Sequence, residues 1–237
     1  MEPGLNGSSR AAYLCKNAYL LYLLFCLLLL CGCGAEEPTV IHEVKTVSGH
    51  VRYEAGKGTV TADLLLPDST RRAPGMMGNA MDPLDGLPGR RFQYRAQRSL
   101  PEVVRFTVDA EGEERGFSFV THGIFIDSLP DTLYTDQSVN FVVADRGLTE
   151  RESLVLFFEP ADRSTPKRIL VAGPTESGAV SLPTRAIDDI APGAYEVYLV
   201  KQRLFKDQIA TTKVSIQTEY FTESKQVVVT STQKTDI

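Results

Sequence analysis

The 237-residue chain has no tryptophan and only three histidines, and none of its four cysteines lies beyond residue 33. A fold built after that point contains no disulfide, so burial of apolar side chains has to hold it together. The sequence carries no G-x-S-x-G elbow, no H-E-x-x-H pair and no glycine-rich phosphate loop. The motif-borne forms of nucleophilic, zinc and nucleotide chemistry are therefore missing. His42, His50 and His122 sit in strand-like sequence with no metal-ligand interval between them, so surface or hydrogen-bonded roles are expected, with no metal and no cofactor. A formal net charge of -5 gives no footing for nucleic acid. Long apolar runs are scarce as well. The main one, residues 18–31, has fourteen residues and would rise about 21 Å as a helix, short of the roughly 30 Å core of a bilayer.

That length suits the apolar region of a signal peptide. The run follows Arg10 and Lys16, ends in LLLLCGCGAEE at residues 27–37, and then turns polar at once. Leu30, Cys31, Gly32 and Cys33 resemble the lipobox of bacterial lipoproteins: a leucine, a variable residue, a small residue, then the cysteine that is lipidated. Cys33 has a small residue directly before it and an apolar one three before, whereas Cys31 follows the bulky Leu30. The resemblance covers the first 33 residues. It implies that residues 1–32 are a removable signal peptide and that Cys33 becomes an N-terminus bearing a diacylglyceryl thioether and an acylated amine, the sort of chain that palmitate labels. At about 0.8 kcal/mol per buried methylene, one acyl chain holds marginally and two or three hold firmly. Cys31 at the variable position departs from the usual pattern, and an uncleaved N-terminal membrane anchor is the competing reading. Residues 33–40 are then a lipidated tether. Gly34 stands where many Gram-negative lipoproteins carry the aspartate that retains them at the inner membrane, which implies delivery to the outer membrane. Ala35, Glu36 and Glu37 resemble an acidic export signal to the cell surface and equally suit a solvated spacer, so periplasmic face and cell surface both stay open. Cleavage leaves 205 residues. Without Arg10, Lys16 and Glu2, the 25 basic and 30 acidic residues become 23 and 29, a net of -6.

The remainder alternates with period two, the mark of half-buried strands. VSGHVRY places Val47, Gly49, Val51 and Tyr53 on one face, and GTVTADLLL does the same with Val60, Ala62, Leu64 and Leu66. VVRFTVDAEGEERGFSFVT reads as a hairpin with Val104, Phe106 and Val108 facing Phe117 and Phe119. After SLPD at 128–131, the strands SVNFVVA, SLVLFFE, KRILVA and AVSLP follow at short intervals between turn-rich pieces. Next comes AIDDIAPGAYEVYLVKQ, a single helical turn and a Pro-Gly corner leading into Tyr195, Val197 and Leu199. Its G-x-Y-x-V-x-L core resembles the penultimate strand of immunoglobulin-like and fibronectin-like domains. IATTKVSIQ would close that sheet with Val214 and Ile216, and residues 226–230 would add an edge strand. The expected fold is all-β: two tandem immunoglobulin-like β-sandwiches at 41–127 and 128–230, with a polar tail at 231–237. Without tryptophan or an intersheet cysteine pair, the resemblance implies the sandwich architecture and not the antibody superfamily.

Residues 67–101 stand apart, a 35-residue interval between convincing strands. Two readings stand. As a long loop it is a candidate binding surface, with Met76, Met77, Asn79 and Met81 as adaptable contacts, Asp82 and Asp85 beside them, and Arg90 and Arg91 supplying positive charge. As short strands, MMGNAM would place its methionines in the core and FQYRA would pair with a neighbour, a reading that the alternation of FQYR favours for part of the segment. The DPLDG sequence lacks the spacing and distal glutamate of a calcium loop and reads as a turn. Arg90, Arg91, Arg95 and Arg98 suit either an anionic glycan or headgroup contact or a solvated strand edge. The whole points to a membrane-anchored, non-catalytic binding or accessory module of the cell envelope, with an envelope protein or glycan as partner. The rival readings are a structural subunit of an outer-membrane assembly and a hydrolase of envelope polymers.

Overall fold

The computed structural model describes residues 45–231, apart from 69, 71, 111, 145 and 210. Cys33, the signal segment and the tether lie outside the described residues, as does His42. Among those described, the regular structure is all strand save two single 3-10 turns at Ala55–Lys57 and Thr184–Ala186. In the N-terminal stretch run β1 (Lys45–Glu54), β2 (Thr59–Leu66), β3 (Gly75–Met76), β4 (Asn79–Ala80), β5 (Asp82–Pro83), β6 (Arg90–Gln97), β7 (Val103–Ala110) and β8 (Glu113–Val120). There follow β9 (Thr132–Tyr134), β10 (Val139–Val142), β11 (Glu152–Pro160), β12 (Lys167–Ala172), β13 (Ala179–Leu182), β14 (Gly193–Ile209), β15 (Thr212–Phe221) and β16 (Lys225–Thr230).

A single sheet runs through the described molecule in the order β12-β11-β14-β15-β1-β2-β6-β5, with β16 and β9 alongside the first half of β14. Two smaller sheets cover it, β10-β13 at one end and β4-β3-β7-β8 at the other. Each covering sheet encloses a core, which makes two β-sandwiches. One core gathers Leu154, Leu156, Phe158, Val197 and Leu199 from the large sheet with Phe141, Val180 and Leu182 from its cover. The other gathers Val47, Val51, Val60, Ala62, Leu64 and Phe92 with Phe106, Phe117 and Phe119. The expected hairpin forms in the expected register, Val104 opposite Phe119 and Phe106 opposite Phe117. Gly49 lies between Leu64 and Ile216, where a Cβ would meet the Leu64 side chain at 2.5 Å. The two large neighbours fill the volume that a side chain at 49 would need.

Tyr195, at the start of β14, donates its hydroxyl to the carbonyl of Ala191 at 2.7 Å. This local clamp, a tyrosine bonding back to the corner that precedes its strand, is a hallmark of immunoglobulin-type sandwiches.

Two expectations need correction. Val214 and Ile216 do not close the second sandwich: they are buried in the first core, where the 17-residue β14 overshoots its own sandwich and returns as β15 to pair with β1. Strand β16 is not an edge, because it lies between β14 and β9 with Val227 and Val229 buried. A chain ending at residue 127 therefore lacks the β15 partner of β1 together with Phe205, Val214 and Ile216. Such a fragment is expected to show no cooperative thermal unfolding by circular dichroism. In the full chain, Ile216→Ala should cost about 2–5 kcal/mol in chemical denaturation.

Candidate functional site

Strand β14 carries one face across both cores, and its residues change character midway. Tyr195, Val197 and Leu199 point into one core and Phe205 packs against the other. Between them, at the same period-two positions, stand Lys201 and Arg203. The inward face of β11 is likewise apolar at Leu154, Leu156 and Phe158 but begins with Glu152. At the junction of the two cores, the sheet thus presents charge inward.

The charges meet. Glu152, whose side chain is 1% exposed, accepts from Arg146 at both oxygens, Nη2 to Oε1 at 2.9 Å and Nη1 to Oε2 at 3.2 Å. The Thr149 amide donates to Oε2 at 2.9 Å, and Lys201 Nζ lies 3.3 Å from Oε1. Lys201, 8% exposed at its side chain, also donates to the carbonyl of His122 at 2.9 Å. Arg203 donates to the carbonyl of Val120 at 3.2 Å. Two cations thereby tie β14 to the segment that leaves β8.

Burial alone would raise the Glu152 carboxyl, but the Thr149 amide, the Arg146 fork and the Lys201 charge outweigh it and hold it down at about 2. Burial pushes the Lys201 ammonium below its ordinary value, with Glu152 pulling the other way. His122 is also pushed down, first by burial and then by the charges of Arg146 and Lys201, so its exposed imidazole is neutral at pH 7.

Above this cluster opens a cleft of about 390 Å³, bordered by Leu100, Pro101 and Glu102 on one side and by Gly123, Arg146 and Leu148 on the other. Lys201 and Glu152 line it too. An apolar recess of about 40 Å³ adjoins it, walled by Val51, Tyr53 and Tyr220. Chemically the cleft offers positively charged N–H donors and a neutral imidazole. Glu152 is a poor general acid, being ionised far below neutral pH, and a poor base, because both of its oxygens are already engaged.

The residues singled out from sequence are placed differently. Met76 and Met81 are buried in the first core, as the short-strand reading of that segment has it, and they are not a contact surface. Met77 is half-buried at the β3–β4 turn, and Asn79 is exposed on β4. Asp82, on β5, and Asp85, in the following turn, are exposed, and no group of three metal-ligating side chains occurs among the described residues. Arg90 lies over the Phe92 ring at 5.7 Å, and Arg91 Nε donates to the carbonyl of Pro88 at 3.2 Å. His50 pairs with Glu219 at 3.0 Å on the open face of the large sheet. His122 is the histidine that reaches the cleft. Sequence reasoning passed over Arg146, Glu152, Lys201 and Arg203. The available signal was ionic side chains at the inward positions of otherwise apolar strands, SLVLFFE preceded by Glu152 and YEVYLVKQRLF interrupted by Lys201 and Arg203.

The open face of the large sheet bears a row of rings. Phe157 and Tyr198 stack at 4.9 Å and 6°, Tyr198 and Phe221 follow at 6.3 Å and 30°, and Arg168 and Arg52 cap the two ends. Along the row the rings pack on one another and on the two guanidinium groups.

No protein-family model matches the chain, and no curated protein matches it. Among solved structures, it is similar to SGBP-B of the Bacteroides ovatus mixed-linkage glucan utilization locus, in complex with a mixed-linkage heptasaccharide, at 15% identity over 76% of this chain and 44% of that one, with a TM-score of 0.25. It is also similar to the FN1–FN3 domains of chicken CNTN1, at 11% identity over 75% of this chain and 65% of that one, with a TM-score of 0.23. The chain thus spans less than two thirds of the length of either. At such TM-scores neither likeness bears on function.

The ionic cluster makes stability depend on pH. An ordinary glutamate ionises near 4.5 and the folded Glu152 near 2, so between these values the folded state binds fewer protons than the unfolded one. This contribution, roughly 3 kcal/mol, is complete above pH 4.5 and is lost as pH falls towards 2. Glu152→Gln is expected to lower stability at pH 7 by about 3–5 kcal/mol, because Lys201 and Arg146 lose their partner, and to flatten the dependence between pH 5 and 2. Urea denaturation across that range measures both effects.

Proposed function

We propose that this protein is a non-catalytic binding module of the bacterial envelope, tied to the outer membrane by lipid on Cys33, whose partner docks in the cleft between its two cores. The observation that carries the reading is the buried Lys201–Glu152 pair at the foot of an open cleft. Buried ion pairs can specify an arrangement or meet a ligand, and here the pair lies at the foot of solvent-accessible space. The lysine has three N–H groups, of which His122 and Glu152 take two. The engagement of both Glu152 oxygens favours binding over hydrolysis. Among the described residues no helix is long and apolar enough to cross a membrane, and in this reading attachment rests on the lipobox. The partner is an envelope protein or glycan presenting an acceptor group to Lys201.

Two measurements test this. Cys33→Ser is expected to abolish metabolic labelling by palmitate and leave the precursor uncut; persistent labelling would move the lipid to Cys31 or remove it from the account. Lys201→Met, which keeps the volume of the side chain and deletes its charge, should reduce capture of the envelope partner by the lipidated protein at least tenfold. Capture equal to that of the native chain would mean that the cleft is not the docking site.

A further inference from the structure

A second hollow lies on the far side of the first sandwich. Strands β3 and β4 form a hairpin with Met76 opposite Asn79, and its two turn residues, Met77 and Gly78, have φ of 49° and 82°. Positive φ at both central positions defines the type I′ turn, whose first position normally carries Asn, Asp or Gly. A methionine there is strained, because its side chain crowds the backbone and has no polar group to bond it. The surrounding ladder holds it in place: the Met77 amide donates to the carbonyl of Arg105 at 2.9 Å, and Asn79 Nδ2 reaches the Met77 carbonyl at 3.3 Å.

The two neighbouring methionines are buried in the core, whereas Met77 walls an open hollow of about 490 Å³. Pro101, Val103 and Thr107 line it as well, together with Arg98 and Arg105. Gly75 keeps the floor low, since a Cβ at that position would meet Thr107 Oγ1 at 2.6 Å. Both arginines are exposed. Arg52, Arg115 and Arg146 are ion-paired, but among the described residues neither Arg98 nor Arg105 has a carboxylate partner. In a chain of net charge -5, two unpaired guanidinium groups over one concavity make a local anion trap.

We propose that this hollow binds an anionic sugar residue, a pyranose bearing a carboxylate or a sulfate. Guanidinium forks grip such oxyanions bidentately. The Thr107 hydroxyl suits a ring hydroxyl, and the side chains of Met77, Pro101 and Val103 offer apolar surface to the C–H face of the ring. The volume lies in the range of ligand pockets. Strain at residue 77 places a flexible thioether at the wall where glycine would leave none. The site touches the cleft between the cores only at Pro101 and does not depend on the function proposed there.

The test is calorimetric titration of the full-length protein in neutral detergent with three hexasaccharides: an oligogalacturonate, a chondroitin sulfate and the neutral maltohexaose. At least one anionic sugar should bind, more weakly as salt rises, and maltohexaose should not. Arg98→Gln and Arg105→Gln, both at exposed positions, should each weaken binding about tenfold without moving the unfolding midpoint. Met77→Gly should weaken binding, because the thioether that walls the hollow is lost. Lys201→Met should leave the affinity for these sugars unchanged, which separates this site from the cleft. Equal binding of maltohexaose, no binding of either anionic sugar, or a loss under twofold in both arginine variants would overturn the proposal. Arginine-dependent adsorption to phosphatidylglycerol vesicles without sugar binding would overturn it too, in favour of a membrane contact.

Discussion

Ten register pairs join β1 to β15 in parallel, and the rest of the described architecture depends on that seam. Parallel neighbours cannot be joined by a tight turn, so the intervening chain must travel elsewhere before it returns. Here it builds the rest of the first sandwich and all of the second except β16 on the way. The seam places Val214 and Ile216 beside Val47 and Val51, and it draws β14 across the junction so that one strand belongs to both cores. The first sandwich is therefore complete only after most of the second has been threaded. Contacts of such wide sequence separation favour slow, cooperative folding over independent domains.

The same seam explains the charges at the junction. A strand that serves two cores must cross the gap between them, where an open cleft admits solvent. Apolar residues there would be left facing a cleft. Lys201 and Arg203 instead bond to the carbonyls of His122 and Val120, so the crossing segments are fastened by directional contacts. Burying the lysine is tolerable because Glu152 lies beside it, and burying the glutamate is tolerable because an arginine fork and an amide complete its coordination.

Much of the fold could be read from the sequence because its signals are local. Alternation in VSGHVRY, TVTADLLL and VVRFTV identifies strands and their inner faces, and the corner before Tyr195 is visible in APGAY. What could not be read is which strands meet. Nothing in TKVSIQ says that its partner lies 167 residues earlier, since Val214 and Ile216 would suit either core equally well. The candidate loop failed in part for a related reason. MMGNAM has two adjacent methionines and a third four residues on, and only the hairpin register decides that Met76 and Met81 are fully buried while Met77, in the turn, is half-buried. The charged cluster was missed because it is assembled from segments far apart in the chain, although Glu152 on β11 and Lys201 and Arg203 on β14 stand at inward positions of otherwise apolar strands.

The row of rings on the open face, from Arg168 through Phe157, Tyr198 and Phe221 to Arg52, crosses five neighbouring strands, β12 to β1. Lys45 begins β1, and the far end of that strand, at Tyr53, borders the recess beneath the cleft. Along its length β1 is hydrogen-bonded to β15 on one side and to β2 on the other. The row of rings crosses the strands in the direction of their backbone hydrogen bonds, so side-chain contacts and the ladder resist the same separation of β12, β11, β14, β15 and β1.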